Sequence, residues 1–303
     1  MRNAFIDELT MLAESDEKIF LVVGDLGYGV IENFERRFPK QFLNAGVAEQ
    51  NMMGMAAGLA SAGYKVFVYS IGNFPVFRCL EQIRNDICYQ ELNVSIVSVG
   101  AGLSYGSLGY SHHAIDDIGV MKALPGMTIY SPADPIETRL ALTSSISLKT
   151  PRYFRLGKSG EPNIFENTPS NFPNWTRLAN GNQLLVLTTG AIAIETIEAS
   201  KSLSSEGIEI AIYSIPVLKP FDLDVTLIEQ YQNILIVEEH SVSGGLGSII
   251  SEEIAKNGIK KNISVMGLPD FVHHELGSQK YLRKHFEIDS EGISNRVRQI
   301  LSS

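Results

Sequence analysis

Short apolar runs separated by stretches of helical period set the frame of the chain. Runs at 19–23, 65–69, 94–99, 127–130 and 152–154 are dense in Val, Ile, Phe and Tyr. Between them, 48–62, 75–90, 118–123 and 135–148 place apolar residues every three or four positions. Near-continuous apolar strands alternating with helices predict a parallel sheet covered on both faces. The opening residues, MRNAFIDELTMLAESDEK, alternate charged and apolar positions as an amphipathic helix does. From 158 to 182 the period dissolves into KSGEPNIFENTPSNFPNWTRLANGN, a polar stretch rich in Pro and Asn that reads as a surface crossing. The alternation then resumes, with strands at 184–188, 209–213, 234–237 and 264–266 and helices at 192–204, 222–230 and 247–256. The fold class is α/β, in two domains that are each a mostly parallel sheet covered by helices. They run over 1–160 and 183–303, joined by a linker at 161–182.

Composition narrows the functional classes. A chain of 303 residues that is 44% hydrophobic buries two cores of this kind. The net charge of -9 leaves no basic surface for nucleic acid. No apolar run reaches the length of a bilayer span, and the first residues lack the basic front and apolar middle of a signal peptide. Cys79 and Cys88 are the only cysteines and carry no metal spacing, so the expected compartment is the reducing cytoplasm.

Several patterns imitate known sites. Gly100-Ala101-Gly102 follows a strand, but the next glycine, Gly106, is one place late for a dinucleotide loop. Gly24-Asp25-Leu26-Gly27 lacks the lysine and hydroxyl residue of a P-loop. His112, His113, Asp116 and Asp117 form a polar cluster, yet adjacent histidines point apart on a regular backbone and do not share an ion. The informative stretch is 42–86. It sets Glu49 in the first turn of a helix rich in small residues (Gly54, Ala56, Ala57, Gly58, Ala60), followed by a strand and a Gly-Asn-Phe-Pro turn. A carboxylate there is either a cap stabilised by the helix dipole or a buried acid with chemistry to do. On the second reading, Val47 and the small-residue helix are expected to bury it.

These residues resemble the transketolase family. The resemblance is carried in order by Leu43-Asn44-Ala45-Gly46-Val47-Ala48-Glu49-Gln50-Asn51-Met52, Cys79-Leu80-Glu81-Gln82-Ile83-Arg84, Ser111-His112-His113, Ala123-Leu124-Pro125-Gly126-Met127, Ser131-Pro132-Ala133-Asp134, Val237-Glu238-Glu239-His240 and Gly244-Gly245-Leu246-Gly247. It covers the family's pyrimidine-binding and C-terminal domains. It implies thiamine diphosphate as cofactor, which acts as an electron sink while a two-carbon ketol unit passes from a ketose phosphate to a sugar acceptor. Glu49 is then the acid that hydrogen-bonds the aminopyrimidine and activates it. Phe74 stacks on the pyrimidine, with Phe77 the alternative, and Asp25 and Arg78 help to hold the cofactor. Arg2 and Arg155 take the place of arginines that meet sugar phosphate, and His112 that of a histidine touching substrate hydroxyls. Each also has an ordinary reading, as a turn acid, a surface charge or a structural histidine.

Two departures qualify the resemblance. Where the family has Asp-Gly-Pro-Thr before the histidine, this chain has Leu108-Gly109-Tyr110-Ser111, and a histidine expected earlier in the loop is replaced within Gly100 to Gly106. Leucine cannot receive a hydroxyl hydrogen bond, which implies an atypical acceptor, such as a keto-sugar carried on a nucleotide. The chain also has no Gly-Asp-Gly segment with a downstream asparagine to hold Mg2+ and diphosphate. The resemblance therefore implies a split enzyme: an N-terminal diphosphate-binding transketolase subunit supplies the Mg2+ site, and this chain forms a homodimer within a heterotetramer. Competing readings are a deoxyxylulose-phosphate-synthase-like enzyme, a 2-oxo-acid dehydrogenase beta subunit, and a non-catalytic binding or regulatory dimer.

Overall fold

The computed structural model describes residues 1–165 and 167–302; Glu166, inside the expected linker, and the terminal Ser303 lie outside the described residues. Among the described residues twelve strands are ordered along the chain. They are β1 (Ile19–Val23), β2 (Phe42–Asn44), β3 (Lys65–Ile71), β4 (Val94–Val99), β5 (Thr128–Tyr130), β6 (Arg152–Leu156), β7 (Thr176–Ala179), β8 (Leu184–Thr188), β9 (Ile210–Ser214), β10 (Val217–Lys219), β11 (Asn233–Ser241) and β12 (Asn262–Leu268). They form a seven-stranded sheet of order β10-β5-β6-β4-β3-β1-β2 and a five-stranded sheet of order β12-β11-β8-β9-β7. Pairing is parallel except for the edge strands β10 and β7, which are antiparallel.

Alternate residues of each strand serve opposite faces, as the two-residue period requires. Val66, Val68, Val94 and Ile96 pack with Met52, Met53, Ala56 and Ala60 of the helix Glu49–Ser61. Phe67, Tyr69, Val97 and Val99 face the other way, onto Phe5, Ile6 and Leu9 of the helix Arg2–Ala13. The ring of Phe154 is stacked on Tyr130 at 5.0 Å and meets Phe5 edge-on at 5.1 Å. The first core continues across to Leu185, Leu187, Ile234 and Ile236 of the second sheet, so one apolar cluster spans both sheets.

The structure departs from the sequence reading at identifiable points. Thr176–Ala179, inside the expected linker, is the edge strand β7, paired with β9. Strand β10 follows β9 in the chain but joins the first sheet, with Val217 opposite Tyr130 and Ser131 N–H donating to Pro216 O at 2.8 Å. The expected helix at 75–90 breaks into Phe74–Phe77, Leu80–Gln82 and a wide turn at Ile83–Cys88. Helices at Glu32–Arg37, Gln279–His285 and Ser290–Ser302 have no counterpart in the sequence reading.

Candidate active site

The carboxyl ends of β2, β1, β3 and β4 converge on one edge of the first sheet, where ligands of open α/β sheets bind. Past β2 the chain turns at Gly46 and enters the helix Glu49–Ser61, with Glu49 as its first residue. The Glu49 side chain is only 3% exposed. Its Oε2 accepts a hydrogen bond from Arg78 Nη1 at 2.8 Å. Val47 does not shield it, being 74% exposed; the cover comes from the segment after β3. Gly54 and Gly58 have open space around them, so among the helix's small residues it is Ala56, Ala57 and Ala60 that pack into the core.

The segment after β3 is held closely. A side chain at Gly72 would lie 2.9 Å from Ala114 Cβ, which ties the start of the turn to the next loop. Pro75, with its backbone angle preset, then opens the short helix Phe74–Phe77. That helix ends where Arg78 folds back, its guanidinium carbon 4.8 Å from the centre of the Phe74 ring and its Nη1 on Glu49. Arg78 remains 48% exposed, so its pairing with Glu49 orients the carboxylate more than it adds stability.

Asn73 joins this turn to the loop after β4. Its Nδ2 donates to Ser111 O at 3.2 Å and His113 O at 2.8 Å. The loop thereby sets His112, at the end of the 3-10 turn Tyr110–His112, edge-on to Phe74 with ring centres 5.2 Å apart. Burial and the neighbouring His113 lower the His112 pKa, which favours the neutral ring. Ser111 Oγ lies 3.0 Å from His112 Nδ1. The two histidines diverge, because His113 is buried with Nε2 on Gly106 O at 3.1 Å. Among the described residues there is no group of three or more His, Cys, Asp or Glu side chains placed to hold a metal ion.

Phe74, Phe77, Arg78, Tyr110 and His113 line a cleft of ≈ 600 Å³. Two of its buried polar atoms, Asn73 Oδ1 and His113 Nδ1, have no hydrogen-bond partner. A flat aromatic face, a buried carboxylate and unused acceptors suit an aminopyrimidine ring, so these residues fit the pyrimidine end of thiamine diphosphate.

The other expected residues sit elsewhere. Asp25, in a left-handed conformation (φ 55), lies at the end of β1. Its carboxylate accepts from Asn44 Nδ2 and from Tyr28 Oη, both at 3.1 Å. Arg2 stays on the first helix, with its backbone N–H on Lys158 O and its Nε on Asn3 Oδ1, and is not among the residues that line the cleft. Arg155 departs most from expectation. It is buried between the domains, with Nε on both Asp117 oxygens at 2.9 and 3.1 Å and Nη2 on Ala114 O and Glu239 O. Its Nε and Nη2 are thus engaged inside the chain, where they tie the Asp117 helix to the C-terminal domain. Leu108, where the resemblance expects an acid, is 55% exposed in the 3-10 turn Gly106–Leu108.

The sequence reading missed Asn73 as the clamp between the loops, because its carbonyl partners lie 38 and 40 positions downstream. It also missed the buried group of Asp117, His240, Glu239 and Arg283 at the domain junction. Arg283 donates to Glu239 there and to Glu195 at 3.1 Å.

Comparison with known proteins bears on the same segments. Residues 1–162 match the family model described as "Transketolase, pyrimidine binding domain", and residues 174–293 match "Transketolase, C-terminal domain". The chain is 34% identical over 299 residues to an apulose-4-phosphate transketolase subunit of Phocaeicola vulgatus, covering 96% of this chain and 94% of that protein. It is 35% identical over 301 residues to a putative transketolase C-terminal section of Methanocaldococcus jannaschii, covering 98% and 95%. A solved structure of a split-gene transketolase, described as an inactive beta4 tetramer, is 31% identical, with a TM-score of 0.87 over 99% of this chain and 97% of that one. Both domain models match in the order of the two sheets, and the likeness runs nearly end to end: the chain belongs to the transketolase family and carries its pyrimidine-binding and C-terminal domains.

Proposed function

We propose that this chain is one half of a two-chain transketolase that moves a two-carbon ketol unit from a ketose phosphate to a sugar acceptor. The observation that carries this reading is the buried Glu49 carboxylate, held by Arg78, whose guanidinium also lies over the Phe74 ring and lines the cleft. Bound thiamine diphosphate would supply the carbon that breaks and re-forms the ketol carbon–carbon bond. Glu49 would hold a proton at the ring nitrogen of the aminopyrimidine, and Arg78 would keep the carboxylate aimed. Phe74 would present its ring face, and the neutral His112 imidazole would hydrogen-bond a substrate hydroxyl.

The diphosphate and Mg2+ would be held by an N-terminal subunit, with two copies of each chain about a two-fold axis. The relatives named as a transketolase subunit and as a split-gene transketolase support this, as do the uncovered Gly54 and Gly58 on the exposed side of the Glu49 helix. The free, buried Cys79 and Cys88 support a reducing, cytoplasmic setting.

The test is to mix the chain with its candidate diphosphate-binding partner, thiamine diphosphate and Mg2+, and to follow loss of xylulose 5-phosphate. Consumption only in the mixture is expected. A stable complex that consumes pyruvate and spares the ketose phosphate would move the assignment to the oxo-acid branch.

A further inference from the structure

The cleft does not end at Tyr110. Tyr110 and Asp116 are also walls of a second cavity, of ≈ 250 Å³, whose far side belongs to the C-terminal domain. That far side is made by Ser241, Ser243 and the irregular segment 269–273. The floor is fixed by a hydrogen bond across the domains, Ser241 N–H to Ile115 O at 2.6 Å. Phe271 stands at the entrance, 63% exposed, and Tyr110 faces the same space. Ser243 Oγ donates to Asp270 Oδ2 at 3.3 Å, holding that carboxylate at the rim. Behind Phe271, His273 is buried between the Phe271 and Phe286 rings, each 4.6 Å away, and its Nδ1 has no hydrogen-bond partner.

The chemistry of this lining is selective. It offers two aromatic faces, three hydroxyls, two carboxylates and one buried imidazole nitrogen, and no Lys or Arg. A phosphate would meet Asp116 and Asp270 with no Lys or Arg in the lining to pair with it. A sugar unit without charge suits it: its C–H faces lie against Tyr110 and Phe271, and its hydroxyls donate to the carboxylates. The rim of the loop points the same way. Leu108 is exposed, and Leu276 comes within 3.0 Å of where a side chain at Gly109 would begin, so the edge is apolar where an acid was expected.

We infer that the acceptor of this transketolase carries an uncharged glycosyl or polyol unit at its far end. That unit is seated between Tyr110 and Phe271, with Asp116 and Asp270 receiving its hydroxyls. This rests on the ketol-transfer reading above for the word acceptor, while the binding site itself can be tested without it.

The experiment is saturation-transfer NMR on the full chain with glucose, maltose and cellobiose, and separately with ribose 5-phosphate. Wild type should transfer saturation to at least one uncharged sugar, and the exposed-site variants Phe271→Ala and Asp270→Asn should each reduce that signal at least threefold. Ribose 5-phosphate should not compete. No signal from any uncharged sugar, an undiminished signal in both variants, or displacement by ribose 5-phosphate would overturn the inference. The mixed-subunit assay separates the two readings. Equal use of ribose 5-phosphate by wild type and Phe271→Ala, with no sugar signal, sinks the subsite and leaves the transketolase. Absence of any ketose consumption alongside a Phe271-dependent sugar signal does the reverse.

Discussion

Replacing Asp117 by Asn leaves its shape and removes its charge, and the surroundings determine the cost. The Asp117 carboxylate is fully buried and accepts from Arg155 Nε and, at 2.6 Å, from Tyr153 Oη. Burial opposes the Arg155 charge, and Asp117, together with Tyr153 and Glu239, outweighs it, holding the guanidinium's pKa above its ordinary value. In Asp117→Asn the guanidinium keeps an amide oxygen and the Ala114 and Glu239 carbonyls as acceptors but loses the buried opposite charge paired with it. Breaking a buried pair in this way costs about 3–5 kcal/mol. An unfolding entropy of about 2.1 cal/mol/K per residue amounts to about 0.6 kcal/mol/K for this chain, so the melting temperature should fall by about 5–8 °C. Thermal unfolding followed by circular dichroism reads this directly. The double variant Asp117→Leu/Arg155→Met removes both charges and should cost much less than either single change, since apolar replacements for a buried pair are often neutral. A melting temperature of Asp117→Asn within about 2 °C of wild type, or a double variant as costly as the two singles added, would refute the argument. A raised KM for phosphorylated substrate with unchanged melting would return Arg155 to the phosphate role.

Three further outcomes are expected. Glu49→Gln should lower ketol transfer by the reconstituted pair by about 10²–10⁴-fold without moving the melting temperature, and a smaller loss would reduce Glu49 to a helix-end acid. Burial pushes Glu137 up to about 8, against the ordinary 4.5, so between those values the folded state keeps a proton that the unfolded state has lost. Stability should therefore fall as pH rises from 4.5 towards 8, and Glu137→Gln should flatten that slope in urea titrations; identical slopes would show that another group sets it. Burial raises the Cys79 thiol to about 12 and the Cys88 thiol to about 11, so a disulfide-exchange reagent at pH 8 should label neither in the native chain and both after unfolding. Rapid native labelling would mean that the 79–88 segment opens readily.

How much of this was legible depends on the length of each signal. The central strands announce themselves because both faces are covered: all six residues of β4, VSIVSV, are buried. Strands β7 and β10 span four and three residues, too short to show a period, and both are recruited by a sheet edge that local sequence cannot reveal. The helix Ser290–Ser302 did carry its pattern, with Ile293 and Val297 buried four positions apart, and went unread among its polar neighbours. At the candidate site, the order of motifs singled out Glu49, Phe74, Arg78 and His112, and three contacts join these four side chains in series. What covers Glu49 was not legible, because Val47 lies next to it in sequence while Arg78, its observed partner, is 29 positions away. The setting of Arg155 was hidden for a related reason. A buried arginine needs a partner carboxylate, and Asp117 lies 38 positions earlier on a different element.

Strand β10 also bears on where this polypeptide tolerates being divided. A break in the stretch 167–174, exposed or half-buried throughout, leaves an N-terminal piece whose sheet ends at β5, with the Thr128–Tyr130 edge stripped of its partner. Lys219, whose Nζ donates to the Lys122 and Leu124 carbonyls, leaves with the other piece. An unpatched edge of buried residues is a template for self-association. The two halves therefore behave as interlocked parts: a nicked chain should stay together through β10, and a gene fission in that stretch would yield an insoluble first half unless the second were made beside it.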